Sequence, residues 1–285
     1  MIKSGERVRR FLLCEINNMT ENTPPTIHDI EILARQAGAI LAAGFRRDNK
    51  ILSKTASIDL VTEVDQASEA FLLREIQARF PSHRILAEEG GAQTGEIDHL
   101  WIIDPLDGTV NFAHGIAVFS VSIAYAYKGK VMLGVVYDPV QDECFSGVRG
   151  EGAWANGVPL HVSDTQELGR ALLATGFPYD SWTTKLDNLD HHGNFMKRTR
   201  GVRRLGSAAL DVCYVAAGRF DGYWEFKTKA WDVGAAALIA EEAGATVTTI
   251  AGDEDYLAPV VHLLVANETL HAKMSEVLQL GRLEE

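Results

Sequence analysis

The sequence predicts an α+β first half built on an antiparallel sheet, followed by an α/β second half. Three observations carry this expectation. Phe119–Tyr127, Val131–Tyr137 and Glu143–Val148 are successive β-rich runs, with Lys128-Gly129 as a hairpin turn between the first two. From about Leu168 strand-like and helix-like stretches alternate instead. The length of 285 residues admits one large or two medium domains. We divide the chain into a loose extension (1–25), an α+β domain (26–167) and an α/β domain (168–285).

Taken in order, Thr26 and Asp29 have the form of a capping box, and Ile30, Leu33, Ala34, Ala37, Leu41 and Phe45 follow at helical spacing. Ile58 to Thr62 alternates as a strand does. A second helix is expected from Glu63 to Phe80, with Leu72, Leu73, Ile76 and Phe80 inward and Pro81 ending it. Ile85–Ala87 reads as a short buried strand ending in Glu88 and Glu89; neighbours on a strand face opposite ways, so one of the two faces any cluster. Gly90–Asp98, polar and glycine-rich, reads as a mobile loop. Trp101–Ile103 is an apolar strand delivering Asp104 to a turn made by Pro105 and Asp107-Gly108. Helices are expected on one face of the antiparallel sheet. In the second half, strands are expected at Ala171–Thr175, Phe220–Glu225, Thr246–Ile250 and Val261–Val265. Helices are expected at Trp182–Met196, Gly206–Ala217, Ala230–Ala243 and Thr269–Leu280.

A formal charge of −12 argues against a nucleic-acid surface, which needs a basic face. An acidic chain can still take an anion where bound divalent cations invert the local field. The three cysteines, Cys14, Cys144 and Cys213, form no CxxC pair and read as free thiols in a reducing cytoplasm. The basic start has too short an apolar run for a signal peptide, no stretch is membrane-spanning, and Met19 is an alternative start. Gly147, Gly150 and Gly152 do not make a dinucleotide-binding fingerprint.

The chemistry centres on Asp104 and Asp107. Two carboxylates about 4 Å apart repel by roughly 4 kcal/mol at an effective dielectric near 20, so a shared proton or a cation is needed. Carboxylates, the Leu106 carbonyl and the Thr109 hydroxyl form an all-oxygen set suited to Mg²⁺ or Mn²⁺. A plain Asx turn at a solvated Asp-Gly corner is the alternative. Asp232, near the start of a helix of small residues, reads by itself as a helix cap.

WIIDPLDGTVNF at 101–112, with TEVD at 62–65, AEE at 87–89 and WD at 231–232, resembles the inositol monophosphatase family in order and spacing, from about Thr26 to the C-terminus. The resemblance implies a layered α/β/α/β/α sandwich, a homodimer, lithium sensitivity and Mg²⁺-dependent hydrolysis of a small polyol or sugar phosphate, inositol monophosphate first. It implies that Glu88, Asp104 and the Leu106 carbonyl hold one ion, that Asp104, Asp107 and Asp232 hold a second, and that a third shares Glu88. Asp59 and Thr109 match a pair that activates water, and Lys54 a lysine near it. Gly108 and Thr109 amides meet the phosphate, while Gly206, Ser207, Ala208, Glu225 and Asp107 contact substrate hydroxyls. Glu89 and Asp65 stand behind these as supports. Lys227, Lys229, Arg203 and Arg204 are either a site for a second phosphate or surface charge. Alternative substrates are fructose 1,6-bisphosphate, histidinol phosphate and a 3′-phosphonucleotide. Rival readings are a haloacid-dehalogenase-type phosphatase, whose aspartates stand at i and i+2 rather than i and i+3, and a regulatory binding protein with a protein or RNA partner.

Overall fold

The computed structural model describes residues 23–46, 51–53, 60–93 and 95–280. Lys54, Asp59, Cys14 and most of the expected N-terminal extension lie outside them.

The capping box at Thr26 forms: the Asp29 amide donates to its hydroxyl and the Asp29 carboxylate accepts from its backbone. It opens α1 (Ile27–Gly44), whose Ile30, Leu33, Ala34, Ala37 and Leu41 are fully buried. Strands β1 (Ile51–Ser53) and β2 (Leu60–Thr62) pair antiparallel as a separate ribbon. Helix α2 (Glu63–Arg79) buries Leu72 and Ile76, while Leu73 is only partly covered. Next come β3 (His83–Ala87), β4 (Gly91–Gln93), β5 (Glu96–Asp107), the short helix α3 (Thr109–Ala113), β6 (Ser120–Tyr127), β7 (Lys130–Asp138), β8 (Glu143–Val148), β9 (Gly152–Ala155) and β10 (Val158–Pro159). These strands make an eight-stranded sheet in the order β10-β9-β8-β7-β6-β5-β3-β4. It is antiparallel except where β3 runs parallel to β5. The stretch expected as a mobile loop is partly sheet, since Gly91–Gln93 pairs with Ile85–Ala87.

The second half holds β11 (Leu172–Thr175), α4 (Leu189–Met196), β12 (Gly201–Arg203), α5 (Ala208–Ala216), β13 (Gly222–Thr228), α6 (Ala230–Glu242), β14 (Thr246–Thr249), β15 (Val261–Ala266) and α7 (Glu268–Leu278). The sheet order is β12-β11-β13-β15-β14, parallel through β13 and antiparallel after it. The helix expected from Trp182 starts only at Leu189. Pro178 and a left-handed Asn188 (φ 70°) keep residues 178–188 as a turn-rich loop.

Helices α1 and α2 cover one face of the large sheet, while α5 and α6 lie between the two sheets and α4 and α7 cover the far face of the small one. That is five layers, α/β/α/β/α. Helices therefore cover both faces of the antiparallel sheet, not the one face expected. The middle layer is tight because glycines on the large sheet admit the α6 backbone: a β-carbon on Gly134 would stand 2.7 Å from the Ala235 carbonyl, and one on Gly147 3.1 Å from the Ile239 α-carbon. This close seating of α6 brings its N-terminus, with Asp232, to the ends of β5 and β3.

Candidate active site

A cleft of about 300 Å³ opens where the strand ends of both sheets face α6. Glu88, Asp104, Leu106, Asp107 and Asp232 all line it, with Gly108, Thr109, Gly206, Ser207, Ala208 and Glu225. Every described residue expected at the metal and substrate positions thus meets one space, although they come from segments up to 144 residues apart.

The Asp104–Asp107 pair is brought together differently from the expected turn. Strand β5 continues through Asp107, but its register against β6 is irregular: Asp104 pairs with Ser122 and Asp107 with Ser120, three steps against two. In a regular strand residues i and i+3 point to opposite faces; the extra residue cancels that alternation and turns both carboxylates to the cleft. The chain then swings away at Gly108, whose φ of 95° and closeness to the Val118 carbonyl (2.9 Å from a β-carbon) exclude a side chain.

Asp107 is anchored by four hydrogen bonds. It accepts a short hydrogen bond from the Ser207 hydroxyl, bonds from the Ala209 and Ala208 amides at 3.0 and 3.2 Å, and one from the Ser120 hydroxyl at 3.3 Å. The Ser207, Ala208 and Ala209 donors sit at the N-terminus of α5, which favours a negative charge. Ser207, Ala208 and Ala209 therefore hold a protein carboxylate whatever else they contact. Asp104 accepts from the Leu106 amide at 2.9 Å, and the Thr109 hydroxyl donates to the Leu106 carbonyl at 3.0 Å. Asp232 does serve as the cap its position suggests, accepting from the Lys229 amide at 2.7 Å, and it also faces the cleft. Glu88 lines the cleft, while the Glu89 amide bonds Glu69 at 2.9 Å outside that lining. Both glutamates sit in the turn after β3. Asp65 is fully buried within α2, and neighbouring Ser68 donates to the Pro105 carbonyl at 3.1 Å.

Crowding raises the cost of these charges. Burial, then Glu88, Asp107 and Asp232, drive Asp104 well above the carboxylate range. Asp232 is driven likewise by burial and Glu88. Asp107 rises to about 6 through burial, opposed by its Ser207, Ala209 and Ala208 bonds. Among the described residues no three acidic, histidine or cysteine side chains are already set as a closed cation cage. The donor set nevertheless fits a hard divalent ion: it is all oxygen, and the like-charge repulsion that lifts these acids is what such an ion relieves.

The opposite wall carries a glutamate and three cationic side chains. Tyr223 donates to Glu225, and the Glu225 carboxylate packs so closely over Gly176 that a β-carbon there would collide with it. Burial raises Glu225 to about 7. Arg204, Lys227 and Lys229 line the same cleft, so that an acidic chain presents cationic groups at this one place. Lys227 bonds Asp180 and Thr184, and Lys229 bonds the Pro259 carbonyl at 3.2 Å. Arg203 is exposed and does not line the cleft.

Sequence reasoning missed Asp211, Asn111 and Tyr179. Asp211 is buried beside the cleft with one oxygen lacking a hydrogen-bond partner among the described residues. Asn111 donates to the Val118 and Leu205 carbonyls, both at 2.8 Å, and so ties the two walls. The position of Asn111 two residues after Thr109, inside the most informative motif, was the available signal. Asp211 and Tyr179 carried none.

The inositol monophosphatase family model matches residues 21–280. The chain is 45% identical over 235 residues to Nus factor SuhB of Pasteurella multocida, covering 82% of this chain and 88% of that protein. The inositol monophosphatase of Anabaena (Nostoc) superposes with a TM-score of 0.78 at 42% identity, covering 88% of this chain and 94% of that one. An IMPase/NADP phosphatase solved with Mg²⁺ and phosphate superposes with a TM-score of 0.75 at 26% identity, covering 98% and 97%. By its fold, its cleft and these matches, the chain belongs to the inositol monophosphatase family of phosphomonoesterases.

Proposed function

We propose that the protein is a Mg²⁺-dependent, lithium-sensitive phosphomonoesterase of small polyol phosphates, with inositol monophosphate as first substrate. The observation that carries this reading is the convergence of Glu88, Asp104, Asp107 and Asp232 on one cleft whose other wall is cationic. Glu88, Asp104, Asp107, Asp232 and the Leu106 carbonyl would hold two or three divalent ions, Mg²⁺ or Mn²⁺. When bound, such ions lower the pKa of a water and stabilise charge on the leaving oxygen. Thr109, whose hydroxyl bonds the Leu106 carbonyl, would hand a proton on to a carboxylate. Asp59 is its partner and Lys54 its neighbour on family resemblance; both lie outside the described residues. Arg204 and the Gly108 and Thr109 amides meet the phosphate. Glu225, fixed by Tyr223, accepts from vicinal hydroxyls. We place the enzyme as a homodimer in the cytoplasm; no helix among the described residues is long and apolar enough to cross a membrane.

The test is a panel of inositol monophosphate, fructose 1,6-bisphosphate, histidinol phosphate and a 3′-phosphonucleotide, assayed with Mg²⁺ and with added Li⁺. Inositol monophosphate turnover that requires Mg²⁺ and falls with Li⁺ is the expected result. No turnover of any ester with Mg²⁺ would sink the reading. A second reading, a binding role, is favoured by the relative named a Nus factor. The two separate through Asp107→Asn: a binding role survives it, catalysis does not.

A further inference from the structure

The loop 176–188 is held at three points. At its stem, Asn188 donates to the Gly176 carbonyl at 2.7 Å and the Thr175 hydroxyl at 2.9 Å, and accepts from the Trp224 indole at 2.8 Å. This buried network is fully paired, so it fixes both ends of the loop to the small sheet. The third point is Lys227, whose ammonium reaches Asp180 at 2.7 Å and Thr184 at 2.8 Å.

Lys227 is itself unusual. It sits in a register irregularity of β13, where Glu225 pairs with Leu263 and Thr228 with Val261, and it has φ of 62° without being glycine. Its amide donates to His262 Nδ1 at 3.1 Å. A left-handed lysine costs conformational energy, and such residues persist where the surroundings over-determine them, commonly at functional sites. The bulge turns this side chain out of the strand and into the loop.

Between the stem and the Lys227 anchor lies Tyr179, which lines the cleft beside the acids although the residue as a whole is 59% exposed at the mouth. Among the described residues its hydroxyl has no hydrogen-bond partner. Burial of that hydroxyl, then the fields of Asp232, Glu88, Asp107 and Asp104, raise its pKa, so it stays a proton donor at neutral pH.

The geometry points to Tyr179 as a substrate-contacting residue, its hydroxyl donating to a phosphate oxygen of the bound ester, with Lys227 as the positioning residue that holds its loop over the cleft. This rests on the phosphatase reading and adds a phosphate contact from the wall opposite the carboxylates. No bond is made or broken by it. Because the contact exists in both bound ester and transition state, it acts on binding rather than on turnover.

The experiment measures kcat, KM for inositol monophosphate and the inhibition constant for inorganic phosphate in Tyr179→Phe, Lys227→Met and the double variant, with thermal midpoints. In Tyr179→Phe, KM and the phosphate inhibition constant should both rise about tenfold, the loss of one hydrogen bond to a charged oxygen, with kcat and the midpoint held. Lys227→Met should raise both constants about threefold and add nothing in the Tyr179→Phe background. Unchanged constants in Tyr179→Phe overturn the contact, and an equal Lys227→Met effect in both backgrounds overturns the positioning role. Loss of activity in Asp107→Asn alongside either result shows that the phosphatase reading stands and only this inference has failed.

Discussion

Both walls of the cleft use the same device, one extra residue in a strand, yet they handle it differently. On the carboxylate wall the irregularity between Asp104 and Asp107 is followed by Gly108, which takes the left-handed turn at little steric cost. Asp107 is then fixed by donors from Ser207, Ala208, Ala209 and Ser120. On the opposite wall the irregularity between Glu225 and Thr228 keeps lysine at the left-handed position, and its tether includes a part-exposed ion pair with Asp180. The first wall is buried, redundantly bonded and free of side-chain strain at the turn. The second keeps a left-handed lysine and ties its loop through that part-exposed side chain, to Asp180 and Thr184, as expected of a region that adapts to a ligand. On the proposed function, rigidity is kept where charge must be placed accurately and compliance where the ester enters.

Breaking the first wall should have the largest effect. Asp107→Asn keeps the side-chain volume but removes the charge, and we expect a loss of kcat/KM of about a thousandfold, with circular dichroism unchanged. Activity near the wild-type level would overturn the placement of Asp107. Gly108→Ala forces a β-carbon to 2.9 Å from the Val118 carbonyl at a φ of 95°. It should cost about 2–3 kcal/mol in urea titration and lower activity with it. A neutral result would mean that the turn is not over-determined.

The two walls should also share a pH signature. Glu225 rises from 4.5 to about 7 on folding and Asp107 from 3.8 to about 6, each through burial first. Between those values the unfolded chain has released protons that the folded chain retains, so the metal-free protein should lose thermal stability as pH rises from about 4 to 7. Saturating Mg²⁺ should raise the midpoint and flatten the Asp107 part of that slope, whereas the Glu225 part persists. A midpoint that rises with pH in the absence of metal would contradict the burial of both acids. The smallest effect is expected away from both walls: Arg219→Ala removes the half-exposed pair with Glu143, bonded at 2.7 Å, and should change stability by about 1 kcal/mol or less with kcat/KM unaltered.

Much of this is legible in the sequence. Helix α1 follows from Thr26, Asp29 and a helical apolar stripe, all within a few residues of one another, and Leu133 and Val135 in the β7 hairpin strand are similarly local. The acids of the motif were legible as a set because their order matches a family. Less legible were the start of α4, which depends on a left-handed Asn188 bonded to Trp224, and the pairing of Gly91–Gln93 with β3. These are decided by partners distant in sequence, which local periodicity does not sense.

The amino-acid sequence by itself determined the chemistry on offer: oxygen ligands, glycines where side chains cannot fit, and small residues along α6. Tertiary structure alone decided which of them meet. Alternation along a regular strand would have separated Asp104 from Asp107, and only the register against β6 turns them to one side. Likewise, Asp107 meets the N-terminus of α5 about a hundred residues on, and Tyr179 reaches the cleft through Lys227, because sheet register and helix seating bring distant segments together. Intrinsic propensity acts over a turn or two of chain, whereas convergence at a site is fixed by packing across the whole fold.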